Sequence, residues 1–171
     1  RDALNEEIRH HVLGIPKDVD LPCKGEKVIC RQNNWGHMVS GISLTNGLIG
    51  FVKDIDYKTE KPNKYIMDFQ PDFMHGKDLF KNLKCDKHYT ATSITDHRDY
   101  GFVDPRLNKF EYAYAVSCHI MQGSQYDRVL FLDELFHDEE TTKKLRYTAI
   151  SRAAESITIV STTGLARRRI W

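Results

Sequence analysis

Apolar residues return every four positions at the start of the chain: Leu4, Ile8 and Val12, with Leu13 widening the stripe. That spacing predicts a helix over 2–13. Asp2 would cap it, and Gly14 followed by Pro16 would end it. The run Val28-Ile29-Cys30 centres a strand over 26–31. Asn33 to Gly36 reads as a turn, and Asn46-Gly47 is a hairpin signal before a strand over 48–52. Residues 65–69 read as another strand. Between about 54 and 108 the helical period fades, and Tyr, Lys and Asp dominate. This stretch reads as a small β-rich insertion with long loops.

The last third has a different pattern. Residues 110–118 look like a strand, with Tyr112, Tyr114 and Val116 on one side. Residues 129–132 read as a short buried strand, 139–152 as a helix and 156–161 as a final strand. Strand, helix, strand in that order implies part of a parallel α/β sheet. No internal repeat is visible.

The composition is that of a soluble globular protein. The chain has 171 residues, which suits one domain or one domain with a small insertion. Hydrophobic residues are 40% and charged residues 29%, which excludes collagen-like, disordered and coiled-coil classes. The apolar run at 129–132 is far below the ~20 residues that span a bilayer. Lys and Arg total 25 against 24 Asp and Glu, so bulk charge would not hold the chain on nucleic acid. Local contacts remain open. Cys23, Cys30, Cys85 and Cys118 form no C-x-x-C pair, so no zinc or redox motif is expected. Four thiols fit a reducing compartment, and the expected location is cytoplasmic. The first helix starts almost at once after Arg1. We therefore expect a piece of a longer protein, with a sheet short of one strand.

Two segments carry candidate chemistry. The first runs from Ser117 through His119, Gln122, Gly123, Ser124 and Gln125 to Asp127. Its Gln-Gly-Ser turn can offer backbone N–H groups to a phosphate; the alternative is a connection whose glycine serves only a tight turn. The second is Tyr147-Thr148-Ala149-Ile150-Ser151-Arg152-Ala153. Arg152 ends a helix just before a buried strand. Its rigid fork of donors can cross a cleft to a phosphate, or it can simply complete a helix C-terminus.

Together these segments resemble motifs V and VI of superfamily 1 helicases. The pattern is Ala-x-Ser-x-His-x-x-Gln-Gly-Ser-x-x-Asp over 115–127, then Tyr-Thr-Ala-Ile-Ser-Arg-Ala. It is most similar to the RecD-like group, with the exonuclease V alpha subunit and the phage Dda helicases. Leu4-Asn5-x-x-Ile8-Arg9 resembles the helix after motif IV. Gly25 to Ile29 with Asn33-Asn34-Trp35, and Asn46-Gly47-x-Ile49-Gly50-x-Val52, resemble two further segments of that group. The resemblance covers about 1–53 and 110–163.

The resemblance implies an α/β fold: an incomplete RecA-like parallel sheet, the P-loop NTPase-like second motor domain, over 1–53 and 110–171. A small β-rich, SH3-like insertion would occupy 54–109. It implies the C-terminal motor domain of an ATP-dependent DNA helicase. Arg152 would be the catalytic arginine finger and would touch the cofactor with Gly123, Ser124 and Gln125. Ser117, His119 and Gln122 would face single-stranded DNA; Asn34 and Trp35 are further candidate DNA contacts, read from the residue types rather than from the resemblance. ATP and Mg²⁺ would be held mainly by an N-terminal RecA-like domain of the same protein. Other recombination subunits are further candidate partners, and no membrane is expected. The chain contains no G-x-x-x-x-G-K-[ST], so this piece alone should not hydrolyse ATP. The family implies 5′→3′ movement, and its variant Gly-Ser-Gln leans towards a phage or prophage protein. Departures are Ile120-Met121 in place of Lys-Ser, Gln125 in place of Glu and Leu48 in place of Asp.

Other readings stay beside these. Trp35 could stack on a base or close a loop. Tyr57, Tyr65, Phe69, Phe73 and Tyr89 with Lys58, Lys61, Lys64 and Lys87 form either a single-strand track or a small β core with a solvated face. Asp133-Glu134 and Asp138-Glu139-Glu140 read as a solvated loop and helix start rather than a metal site. The scattered histidines do not suggest a metal. Arg167-Arg168-Arg169 reads as a solvated basic end, with a weak DNA contact as the alternative. A non-catalytic nucleic-acid-binding module, or a protein-interaction domain, is the alternative to a motor.

Overall fold

A computed structural model describes residues 1–57, 64–87, 106–133 and 139–161, and the backbone of 164–169. The fold is mixed α/β with two compact units, Arg1–Ala115 and Val116–Trp171.

In the first unit, α1 (Asp2–Glu7) runs into a π-helical segment, Ile8–Val12. The strands that follow are β1 (Lys27–Cys30), β2 (Asn34–Val39), β3 (Ile42–Leu44), β4 (Ile49–Asp56), β5 (Lys64–Pro71), β6 (Phe80–Asp86) and β7 (Phe110–Tyr112). Five of them form a sheet in the order β6-β5-β4-β1-β7, and β2 pairs with β3 apart from it. Every pairing in the five-stranded sheet is antiparallel. Its core holds Val28, Val52, Tyr65, Met67, Phe69 and Phe110, each fully buried. Fully burying side chains of this size contributes about 1.5–3 kcal/mol each. Phe69 and Phe110 meet at 5.0 Å between ring centroids, inside the range of favourable aromatic pairs.

This sheet spans the division expected at residues 53 and 54. β4 runs straight through that boundary, and β1 and β5 flank it as neighbours in one sheet. Gly50 explains the close fit. A Cβ there would stand 2.1 Å from the Gln70 carbonyl oxygen. Only a glycine lets β5 approach so closely.

The opening helix also differs from its apolar stripe. Val12 is 73% exposed, while the buried positions are Asn5 and Arg9. The Asn5 amide nitrogen donates to the Tyr112 and Ala115 carbonyls, and its oxygen accepts from the Ala115 N–H. Arg9 donates to Glu26 twice, at 2.8 and 3.0 Å, and once to the Leu21 carbonyl. Its guanidinium lies 4.0 Å from the Tyr112 ring centroid. Burial is the largest single influence and would lower the Arg9 pKa, but the bond to Glu26 and the charges of Tyr112, Glu26 and Cys23 together outweigh it, and the net direction is up. Asp2 lies inside the helix, and Arg1 precedes it as the cap position. Gly14 does end the segment, with φ of +70°.

Other elements differ in extent. Asn33 to Gly36 was expected to turn, but Asn34 opens β2. Asn46-Gly47 does turn the chain, with Gly47 at φ of +90°, yet β3 and β4 do not pair across it. Of the strand expected over 110–118, only Phe110–Tyr112 is extended.

The second unit holds β8 (Tyr126–Asp133), α2 (Glu139–Ile150), β9 (Ala153–Ser161) and β10 (Gly164–Arg169). β8 and β9 pair in parallel, in register from Arg128 opposite Ser156 to Asp133 opposite Ser161. The strand–helix–strand order expected in the last third is therefore present. β10 pairs antiparallel with β9, so the backbone of the basic end is part of the sheet. Ala149, Ala153 and Ile157 form the small core, with Val129, Phe131 and Ile159 against it. Asp133 sits at the end of β8, only 8% exposed, and takes a bidentate pair from Arg146. It was expected in a solvated loop; instead it ties α2 to the sheet.

Candidate functional site

The site is built where α2 hands over to β9 and where the 117–124 segment leads into β8. Successive turns fold that segment. The Ile120 N–H donates to Ser117 O at 3.0 Å, Met121 N–H to Cys118 O at 3.1 Å and Ser124 N–H to Met121 O at 3.1 Å. Met121 is buried and anchors the turn, with the Tyr126 hydroxyl 4.0 Å from its sulfur. Gly123 has φ of +92°, the left-handed region where a side chain is strained. Burial pushes the Cys118 thiol pKa up.

Arg152 meets this turn directly. Its Nη1 donates to the Ser124 carbonyl at 2.9 Å. Its Nε donates to the Thr148 carbonyl at 3.3 Å, and its Nη2 to the Ser151 hydroxyl at 2.9 Å. The Ser151 hydroxyl in turn donates to the Thr148 carbonyl at 2.9 Å. The Tyr126 N–H donates to the Arg152 carbonyl at 2.8 Å, which locks the start of β8 to the start of β9. A guanidinium has five N–H donors, so these three bonds leave one on each terminal nitrogen. The arginine thus completes the helix end and keeps two donors, a planar fork suited to a phosphate.

His119, Gln122 and Gln125 are exposed, and none of their side chains bonds another described residue. His119 and Gln122 line a groove of about 310 Å³ with Thr141, Lys144, Leu145 and Thr148 of α2. Ser117 is half-buried beside them in the chain. Three of these helix residues, Thr141, Lys144 and Leu145, escaped sequence reasoning. Their signal was the spacing 141, 144, 145, 148, which puts all four on one helix face.

Asn34 and Trp35 lie in the other unit. The Asn34 amide nitrogen donates to Asn108 Oδ1 at 2.8 Å, and its oxygen accepts from the Gly36 N–H at 3.2 Å. Both ends of that amide are used within the chain, which disfavours it as a DNA contact. Trp35 is 68% exposed. Of the aromatic and basic set read as a track or a core, Tyr65 and Phe69 are fully buried core residues, and Tyr57 and Phe73 are about half exposed. Lys58, Lys61 and Tyr89 fall outside the described residues, as do Glu134 and Asp138. Among the described residues, no three of His, Cys, Asp and Glu cluster to hold a metal. No helix there is long and apolar enough to cross a membrane.

Residues 112–160 match the family of UvrD-like helicase C-terminal domains. The match spans the 117–125 turn, α2 and Arg152. It supports a superfamily 1 helicase C-terminal domain, and with it the motor part of an ATP-dependent helicase. Comparison with curated proteins gives no match. Within the matched residues, the turn and Arg152 are joined through the Ser124 carbonyl.

Proposed function

We propose that this chain is the second motor domain of a RecD-like, ATP-dependent DNA helicase. One observation carries the reading: Arg152 is held by the Ser124 carbonyl and the helix end, yet keeps a free N–H on each terminal nitrogen. That donor set fits the terminal phosphate of a nucleotide. ATP and Mg²⁺ would be held by an N-terminal RecA-like domain, and ATP would supply the bond whose cleavage drives movement. Arg152 orients against the γ-phosphate and stabilises the charge that develops there. An arginine in this role contributes ~10³–10⁵ in rate. Gly123, Ser124 and Gln125 form the turn that positions it.

Ser117, His119 and Gln122 would meet the single strand. The β8–α2–β9 unit would be part of a RecA-like parallel sheet, and the antiparallel strands of the first unit an SH3-like accessory part. Single-strand-stimulated ATP hydrolysis by the full-length protein tests the proposal. Its absence would leave a non-catalytic binding module, a reading that the exposed Trp35 favours.

A further inference from the structure

We propose that Lys144 binds a phosphodiester of a single DNA strand in the groove it shares with His119 and Gln122. The inference rests on the DNA-motor reading and adds a residue to it. Segment 117–125 offers His119 and Gln122 as hydrogen-bonding groups but contains no Lys or Arg. Any lasting attraction for a phosphate on that side must come from elsewhere. Among the described residues, Lys144 is the one lysine or arginine that lines the groove.

Its position follows from helix geometry. Thr141, Lys144, Leu145 and Thr148 share one face of α2. The opposite requirement, packing on the sheet, is met by Ala149 and by Arg146 on Asp133. Lys144 is therefore left to solvent, with its side chain 74% exposed. Its ammonium pairs with Glu140 at 2.7 Å, one helical turn back. Exposed pairs of this type contribute only about 0.3–0.5 kcal/mol, so a phosphate can replace the carboxylate at small cost. A groove of about 310 Å³ is at the lower end for ligand sites and has room for one nucleotide unit.

Lys143 provides an internal comparison. It stands next in the chain, is 70% exposed and pairs with Glu139 at 2.7 Å, but does not line the groove. Both lysines carry the same charge, so a bulk-charge effect would move both equally.

The test is binding of oligodeoxythymidylate to the full-length protein over a range of salt, for wild type, Lys144→Ala, Lys144→Arg and Lys143→Ala. Loss of one phosphate contact on a single strand lowers the slope of log affinity against log salt by about 0.7. Referred to 1 M salt, that is about a fivefold loss at 0.1 M. We expect this for Lys144→Ala, with Lys144→Arg and Lys143→Ala near wild type. Thermal melting unchanged in Lys144→Ala would exclude a folding defect. A wild-type slope in Lys144→Ala, or an equal loss in Lys143→Ala, overturns the proposal. A wild-type protein that binds no oligothymidylate overturns instead the motor reading beneath it.

Discussion

Arg152 and Ser124 stand 28 residues apart in the chain, yet Arg152 Nη1 donates to the Ser124 carbonyl at 2.9 Å. The bond joins the end of α2 to the turn before β8. It makes the orientation of the arginine depend on the backbone of that turn, not on the serine side chain. A planar guanidinium held at one edge loses less freedom when its other donors engage a phosphate.

It follows that Ser124→Ala should leave ATP turnover of the full-length protein near wild type, because the accepting carbonyl remains. Gly123→Ala should lower it. The φ of +92° at Gly123 strains any side chain, by roughly 1–2 kcal/mol, and relief of that strain moves the carbonyl at 124. Steady-state turnover of the two variants checks this. Loss in Ser124→Ala with Gly123→Ala near wild type would mean that the hydroxyl matters and the turn geometry does not.

The Arg9–Glu26 pair predicts a second contrast. Both side chains are almost fully buried, with 1% and 3% exposed. Glu26 Oε2 also accepts from the Cys23 N–H at 2.8 Å, and Oε1 accepts from the Tyr114 hydroxyl at 3.2 Å. Arg9→Ala leaves that carboxylate buried without its cation and should cost about 3–5 kcal/mol. The double variant Arg9→Met, Glu26→Leu should cost clearly less than the sum of the two single changes. Denaturant unfolding of all four proteins measures the coupling.

Cys30 predicts a dependence on alkaline pH. Burial pushes its thiol from an ordinary value near 9 up to about 11. The folded state therefore holds the proton more tightly than the unfolded state. Its contribution is complete below about pH 9 and is lost as pH rises towards 11, by about 1–3 kcal/mol in all. Unfolding free energies at pH 8 and 10.5, for wild type and Cys30→Ala, should show a steeper fall in the wild type. Identical slopes would contradict the assignment.

Trp35 gives a prediction for the first unit. Its 68% exposure leaves the indole ready to stack on a base. Trp35→Ala should weaken single-strand binding by about tenfold, equivalent to a lost ~1.4 kcal/mol, within the range of one base stack. Fluorescence titration with oligothymidylate reads it, and unchanged affinity would assign Trp35 to another role.

The second unit was legible from the sequence because its signals are local. Short apolar runs and one helical stretch gave β8, α2 and β9, although β8 and β9 each extend three residues earlier than expected. The Gly123 turn and Arg152 were readable as site residues; the bond between them was not, since no spacing rule links position 124 to 152. The opening helix misled because its buried face is polar. Asn5 and Arg9 are buried through partners more than ten residues away, which periodicity of apolar residues cannot reveal. β6 was missed for a related reason. Its buried Phe80, Leu83 and Cys85 alternate with lysines around a register shift, so no clean period of two survives. The pairing of β4 with β5 across residues 53 and 54 was not legible, because it depends on Gly50 admitting the Gln70 carbonyl from the neighbouring strand.

The central claim concerns Arg152, and single-strand-stimulated ATP hydrolysis by the full-length protein tests it most directly. Arg152→Ala should lower stimulated turnover by about 10³-fold or more while ATP binding survives. Wild-type turnover in the Arg152→Ala protein would contradict the account.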